Sequence, residues 1–154
     1  MTRLLTALSN HSSSVGYTQG MNAFAGSILF HTDEVLAFEL VIRTLNDYHL
    51  KEVHMAKLHG LYVHCDILQV LLQENLPKLN AHLSRLDVTT MNYCANWVVS
   101  LLSQVVPLSQ VQLFYSQFFK DGWLAFYKVI LTLMSQLQDQ ILNCSTTLTA
   151  QLSL

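Results

Sequence analysis

Charge is what this sequence has least of. Asp, Glu, Lys and Arg make up only 12% of its 154 residues, against roughly a quarter in an average soluble domain. Eight Lys and Arg face ten Asp and Glu for a formal net charge of −2, and no run of basic residues forms a stripe able to neutralise phosphates. Nucleic acid is therefore not an expected partner. Cysteine is scarce as well. Cys65, Cys94 and Cys144 stand far apart with no Cys-x-x-Cys pair, so neither a disulfide framework nor a zinc site is signalled, and a cytoplasmic location suits the chain. Asn10-His11-Ser12 and Asn143-Cys144-Ser145 match the glycosylation sequon, but no apolar stretch of secretory length precedes them, which makes chance matches of both.

Long apolar runs are missing too. Residues 95–108 are broken by Ser100, Ser103, Gln104 and Pro107, and residues 123–134 contain Lys128. Neither reaches the roughly 18 to 20 apolar residues a membrane span needs, so both read as buried helices. No Gly-x-Ser-x-Gly elbow, phosphate-binding loop or dinucleotide fingerprint occurs, so the chain is not expected to do chemistry alone or to hold a cofactor. His54, His59 and His64 recur every fifth residue, which turns successive rings by roughly 140° around a helix. No metal is expected, since no His pair stands at the spacing of four that zinc helices use.

What is present is an apolar surplus of 51%, arranged at helical intervals. It fits a deep helical core, a surface that needs a partner, or a domain from which a piece is missing. Residues 2–8 read as a short helix running into a polar loop over 10–14, with a turn at Gly16. A segment over 19–30 carries Ala23, Ala25 and Gly26, small enough for a neighbouring helix to approach closely. Thr32 is placed to cap the next helix, where Val35, Phe38, Val41 and Leu45 form one face. Leu58, Leu61, Cys65, Leu68 and Leu72 predict a helix over about 54–73, in which Gly60 should cost about 1 kcal/mol relative to Ala. Pro77 suits a first helical position ahead of residues 78–86. Residues 91–105 are apolar on nearly all sides. Val111, Phe114 and Phe118 follow Pro107 as a stripe, Gly122 marks a stop, and a last helix runs from Trp123 to Ile141. No strand pattern, repeat or composition break competes, so the expectation is a single all-α domain over 1–154.

The most informative stretch is Val15-Gly16-Tyr17-Thr18-Gln19-Gly20-Met21-Asn22. Its plain reading is a loop-to-helix junction with Gly16 at the turn and Gln19 solvated in the first turn. A second reading is that a long amide is displayed at a helix start, with Gly20 leaving room for another protein's backbone. A primary amide both donates and accepts, so it can hold an attacking water in line while touching a phosphate oxygen.

Tyr17-Thr18-Gln19-Gly20-Met21 resembles, letter for letter, the Tyr-x-Gln-Gly-Met hallmark of the TBC-domain Rab GTPase-activating proteins. Further along, Glu34, Ala37 and Phe38 resemble that family's Glu-x-x-Ala-Phe helix. Pro77 through His82-Leu83 is similar to its Pro-x-Leu-x-x-His-Leu passage, and Trp97 falls where a tryptophan-led helix is expected. Pro107-Leu108 followed by Phe118 to Gly122 resembles its third motif. The resemblance thus spans nearly the whole chain. It implies a multi-helix TBC (Rab-GAP) domain whose partner is a GTP-bound Rab-type small GTPase. Gln19 would be the catalytic glutamine finger that takes over the GTPase's own glutamine, with Tyr17, Gly20, Met21 and Asn22 in the binding surface around it. It also implies a part in vesicle trafficking, in the cytoplasm and on endomembranes reached through partners.

Two departures accompany the likeness. The family's first motif, Ile-x-x-Asp-x-x-Arg, which carries an arginine finger, has no counterpart in the sixteen residues before Tyr17. The domain is therefore expected to be incomplete at its N-terminal end. An arginine finger contributes about 10³ to 10⁵ in rate, and a glutamine cannot supply its positive charge. In the third motif Tyr115-Ser116 replaces Trp-Asp and Leu113 replaces an arginine, so an internal polar network is expected to be lost. A fragment or alternative product on one side, and a TBC-like module that has discarded catalysis and binds a Rab or scaffold on the other, both fit these departures.

Overall fold

A computed structural model of the chain describes residues 1–11, 20–55 and 57–146. Among these residues nine helices follow one another and no strand occurs. They are α1 (Thr2–His11), α2 (Met21–His31), α3 (Glu34–Asp47), α4 (Leu50–His54), α5 (His59–Asn75), α6 (Pro77–Arg85), α7 (Thr90–Val99), α8 (Leu108–Asp121) and α9 (Trp123–Leu142). The all-α expectation holds. The turn at Gly16, most of the loop over 10–14, and Tyr17 and Gln19 lie outside the described residues.

α5 is the central element and packs against α4, α6, α7 and α9. Its inner face is the expected row of Leu61, Cys65, Leu68 and Leu72, all buried. A second layer forms where α2 lies on α3 and α8, with α1 laid across α2 and α3. Phe24 of α2, Val41 and Leu45 of α3 and Phe118 of α8 close that layer's core. Aromatic rings tie the layers together. Trp123 at the start of α9 donates its indole N–H to the Tyr48 carbonyl at 2.7 Å, and the Tyr48 hydroxyl donates to the Phe119 carbonyl at 2.8 Å. Both polar handles are thus satisfied inside an apolar cluster, as buried aromatics require.

Three boundaries differ from the sequence expectation, each for a visible reason. Asp33, not Thr32, caps α3, its carboxylate accepting from the Val35 and Leu36 amides at 3.0 and 2.9 Å. Thr32 instead donates its hydroxyl back to the Ile28 carbonyl at the end of α2. The helix expected from residue 54 is interrupted, so α4 ends at His54 and α5 begins at His59. Gly60 therefore sits in the first turn of α5 rather than in its interior. A Cβ there would stand 2.7 Å from the Glu52 carbonyl carbon and 2.8 Å from the Val53 amide nitrogen. Glycine is what lets α5 close onto α4's backbone. Finally, the helix expected to reach Val105 stops at Val99, because Leu101 and Leu102 turn the chain with φ of 47° and 60°. Both leucines are fully buried, and that burial holds a conformation that costs L residues roughly 1–2 kcal/mol each.

The apolar surplus is only partly buried. Val35 (79% exposed), Leu113 (74%) and Phe30 (68%) stand in solvent, as do Tyr62 and Val70 on the outer face of α5. No helix among the described residues is long and apolar enough to cross a membrane.

Candidate functional site

The site expected around the motif begins, in the described residues, at Gly20. This residue is buried and forms the N-cap of α2 with φ 96° and ψ −29°. Its carbonyl accepts from the Ala23 and Phe24 amides, each at 3.1 Å, which launches the helix. No side chain caps this end, as the residue type dictates. A Cβ on Gly20 would meet Val99 at 2.9 Å (Cγ2), 3.1 Å (carbonyl oxygen) and 3.2 Å (carbonyl carbon). The last residue of α7 thus forms a socket for Gly20. The space that an L side chain would take at Gly20 is thus occupied by Val99 of the same chain, which gives the glycine a structural reason beside the partner approach expected from the sequence.

Met21 is 3% exposed and belongs to the core, whereas Asn22 is exposed. Of the described residues expected at the binding surface, Asn22 alone is exposed, and Gly20 and Met21 are buried at the start of α2. One turn further, Phe24 and Ala25 are fully buried. The start of α2 is therefore a clamped point rather than a fraying end.

α2 is also anchored through its far half. Ser27 donates its hydroxyl to the Phe24 carbonyl at 2.7 Å and lies 2.8 Å from the Tyr115 hydroxyl of α8. The phenol donates in that pair, since the Ser27 proton is already committed. Phe24 and Tyr115 meet edge to face at 5.9 Å. Burial pushes the Tyr115 phenol well above its ordinary range, the hydroxyls of Ser27 and Ser103 opposing that rise. Tyr115 consequently stays neutral and works as a donor. At the Tyr115 position a hydroxyl pair joins α8 to α2. Leu113 stands in solvent.

A cavity of about 190 Å³ lies at the C-terminal end of α2, lined by Ile28, His31, Thr32, Leu40, Tyr115 and Phe119 among others. Ile28 stands seven residues after Met21, so about 10 Å of helix separates this cavity from the motif. It is a gap between α2, α3 and α8 rather than part of the motif's surface.

Each of the three arginines has a partner on the chain itself. Arg3 lies 3.3 Å from Glu34, Arg43 is forked onto Glu39 at 2.8 and 3.1 Å, and Arg85 rests 3.1 Å from His82 Nδ1. The ion pairs are exposed and weak. Among the described residues no three His, Cys, Asp or Glu side chains converge on a point that could hold a metal.

The first contact of this arrangement with known proteins is at the family level. The Rab-GTPase-TBC domain family matches residues 1–142, and the chain belongs to that family. It is 31% identical over 141 residues to the GTPase activating protein Gyp51 of Schizosaccharomyces pombe, a stretch covering 92% of this chain and 14% of that protein. It is 30% identical over 148 residues to the human growth hormone-regulated TBC protein 1, covering 93% of this chain and 43% of that protein. The fold is that of the crystal structure of the Chlamydomonas flagellar RabGAP TBC domain, with a TM-score of 0.84 at 24% identity, over 98% of this chain and 50% of the solved one. The chain spans half or less of the length of each of these proteins.

Val99 and Ser27 hold α2 in place, and the sequence reading did not single them out. Val99 carries no motif signal, because its role is to be the wall facing a glycine far away in the chain. Ser27 reads as a small helix residue until Tyr115 is placed beside it.

Proposed function

We propose that this chain is the glutamine-bearing part of a Rab GTPase-activating domain and that it docks on a GTP-bound Rab-type GTPase through the N-terminal end of α2. Gln19 is the finger: its amide orients the attacking water and touches a phosphate oxygen, as phosphoryl transfer to water requires. Gly20 and Met21 fix the start of α2, and Tyr17 and Asn22 contribute with them to binding the partner. The chain does no chemistry of its own and completes the partner's active site.

The observation that carries this reading is the clamped start of α2, where Gly20 is held at φ 96° in the Val99 socket immediately after Gln19. A catalytic finger needs a rigid base, since a misplacement of about 1 Å costs on the order of 10²-fold in rate. Acceleration by residues 1–154 alone is small, because they carry no counterpart of the Ile-x-x-Asp-x-x-Arg motif and a glutamine cannot supply the positive charge that an arginine finger brings. The same observation supports a second reading, in which the chain binds a Rab or a scaffold without accelerating hydrolysis. Binding of residues 1–154 to a panel of Rab proteins loaded with a non-hydrolysable GTP analogue or with GDP tests the shared claim. Preference of at least one Rab for the GTP-like state supports it, and equal or absent binding across the panel contradicts it.

A further inference from the structure

Across the α5–α7 contact, Cys65 Sγ and Cys94 Sγ lie 3.2 Å apart, with Met91 Sδ 4.0 Å from Cys65 Sγ. Both thiols are free and buried, Cys65 at 3% and Cys94 at 0% exposure, while Cys144 is only half-buried after α9. A disulfide has its sulfurs about 2.05 Å apart, so closing this pair takes roughly 1 Å of movement and no new volume. A metal bridging the same thiolates would act oppositely. Metal–sulfur bonds of about 2.3 Å in tetrahedral geometry spread two sulfurs to nearly 4 Å and need room for the ion. Inward movement is the smaller demand on a packed core.

We propose that Cys65 and Cys94 are an oxidation site, forming a reversible intramolecular disulfide that ties α5 to α7. The two thiols are already differentiated. Hydrogen bonding from Cys94 holds Cys65 below the usual thiol range, and burial opposes this. Cys94, which gives the hydrogen bond and is buried, is pushed up. Cys65 is therefore the first thiolate and Cys94 the resolving thiol. With hydrogen peroxide as oxidant, the Cys65 thiolate attacks one peroxide oxygen and the O–O bond breaks. The departing hydroxide takes up a proton to become water, leaving a sulfenic acid on Cys65. The Cys94 sulfur then attacks the Cys65 sulfur, the S–O bond breaks, and hydroxide leaves with the Cys94 proton as a second water. Two thiols are oxidised and one peroxide is reduced. A dithiol reverses the bond by exchange. The modification falls on α7, the helix whose last residue, Val99, forms the Gly20 socket. Burial makes the reaction slower than oxidation of Cys144, since the oxidant enters only when α5 and α7 part transiently.

The test holds residues 1–154 in hydrogen peroxide under native conditions, then quenches, unfolds, alkylates and digests the protein for mass spectrometry. The expected product is a peptide joining Cys65 to Cys94, two hydrogens lighter than its parts. It should be independent of protein concentration, removed by dithiothreitol, and accompanied by a Tm several degrees higher. Cys65→Ala and Cys94→Ala abolish the product. Because the wild-type digest is read directly, a variant that fails to fold does not blur the outcome. Full alkylation of Cys65 and Cys94 after prolonged exposure that has consumed Cys144, or a bridge that runs to Cys144 instead, overturns the proposal.

Discussion

Replacing Gly20 with Ala separates a structural glycine from one kept for a partner's approach. The backbone at φ 96° and ψ −29° lies outside the regions open to L residues, and forcing alanine there costs about 1–2 kcal/mol. The new methyl also lands 2.9 Å from Val99 Cγ2 and 3.1 Å from the Val99 carbonyl oxygen. The Val99 methyl can rotate away. Its carbonyl cannot do so without moving the end of α7, and overpacking of this kind costs about 1–3 kcal/mol. Alanine restricts the unfolded chain and returns about 0.4–1 kcal/mol. The net loss is therefore about 2–4 kcal/mol, a large share of a domain's usual 5–15 kcal/mol. Urea unfolding followed by far-ultraviolet circular dichroism reads it as a midpoint lowered by about 1–2 M, for a slope near 2 kcal/mol/M. Adding Val99→Ala should recover only part of the loss, because the carbonyl oxygen remains. A Gly20→Ala protein within 0.5 kcal/mol of the parent, yet unable to bind a GTP-loaded Rab that the parent binds, would refute the socket and restore the partner-approach reading.

Further outcomes follow from particular contacts. Gly60→Ala should lose about 2–3 kcal/mol despite alanine's better helix propensity, because its Cβ meets α4's backbone at 2.7 and 2.8 Å; a gain of about 1 kcal/mol in the same urea titration would return Gly60 to an ordinary helix interior. Tyr115→Phe removes the hydroxyl 2.8 Å from Ser27 and should lower stability by about 1 kcal/mol, whereas an unchanged urea midpoint would show that the pair contributes nothing. Burial lowers both His54 and His64 from 6.5 to about 4, and His64 is stacked on Trp123 with its Nδ1 2.6 Å from the Tyr127 hydroxyl. The folded state therefore resists protons that the unfolded chain takes up, so the stability these rings contribute is complete above pH 6.5 and lost as pH falls from 6.5 towards 4. Each should cost about 2 kcal/mol across that window after discounting for solvent screening, and a Tm that stays level from pH 7 to 4.5 would contradict the neutral buried rings.

Most of the fold was legible in the apolar periodicity, and its failures have physical causes. The stripes of α3, α8 and α9 stand in the sequence because each of these helices buries one face. The stop at Val99 does not. Leu101 and Leu102 look like continued helix, and only their full burial explains why leucines accept positive φ. The break between α4 and α5 is hidden in the same way, since Leu58, with φ 49°, makes the turn where no glycine or proline signals one. At the site, residue chemistry alone left Gln19 as an ordinary first-turn amide. The resemblance, not physics, singled it out. The Gly20 socket was invisible from sequence because Val99 reaches Gly20 only through the packing of the end of α7 against the start of α2. The Ser27–Tyr115 pair stayed hidden likewise, two hydroxyls from distant helices that no local spacing connects.

Single-turnover GTP hydrolysis by the Rab that binds residues 1–154 best, measured with the parent chain and with Gln19→Ala, tests the central claim most directly. The account expects a small acceleration by the parent chain that Gln19→Ala abolishes while binding persists. It also expects that joining an Ile-x-x-Asp-x-x-Arg segment upstream raises the parent's rate by about 10³ or more and the variant's far less. Equal rates for parent and Gln19→Ala in both forms would contradict the finger, and strong activation by residues 1–154 alone would contradict the account of the missing positive charge.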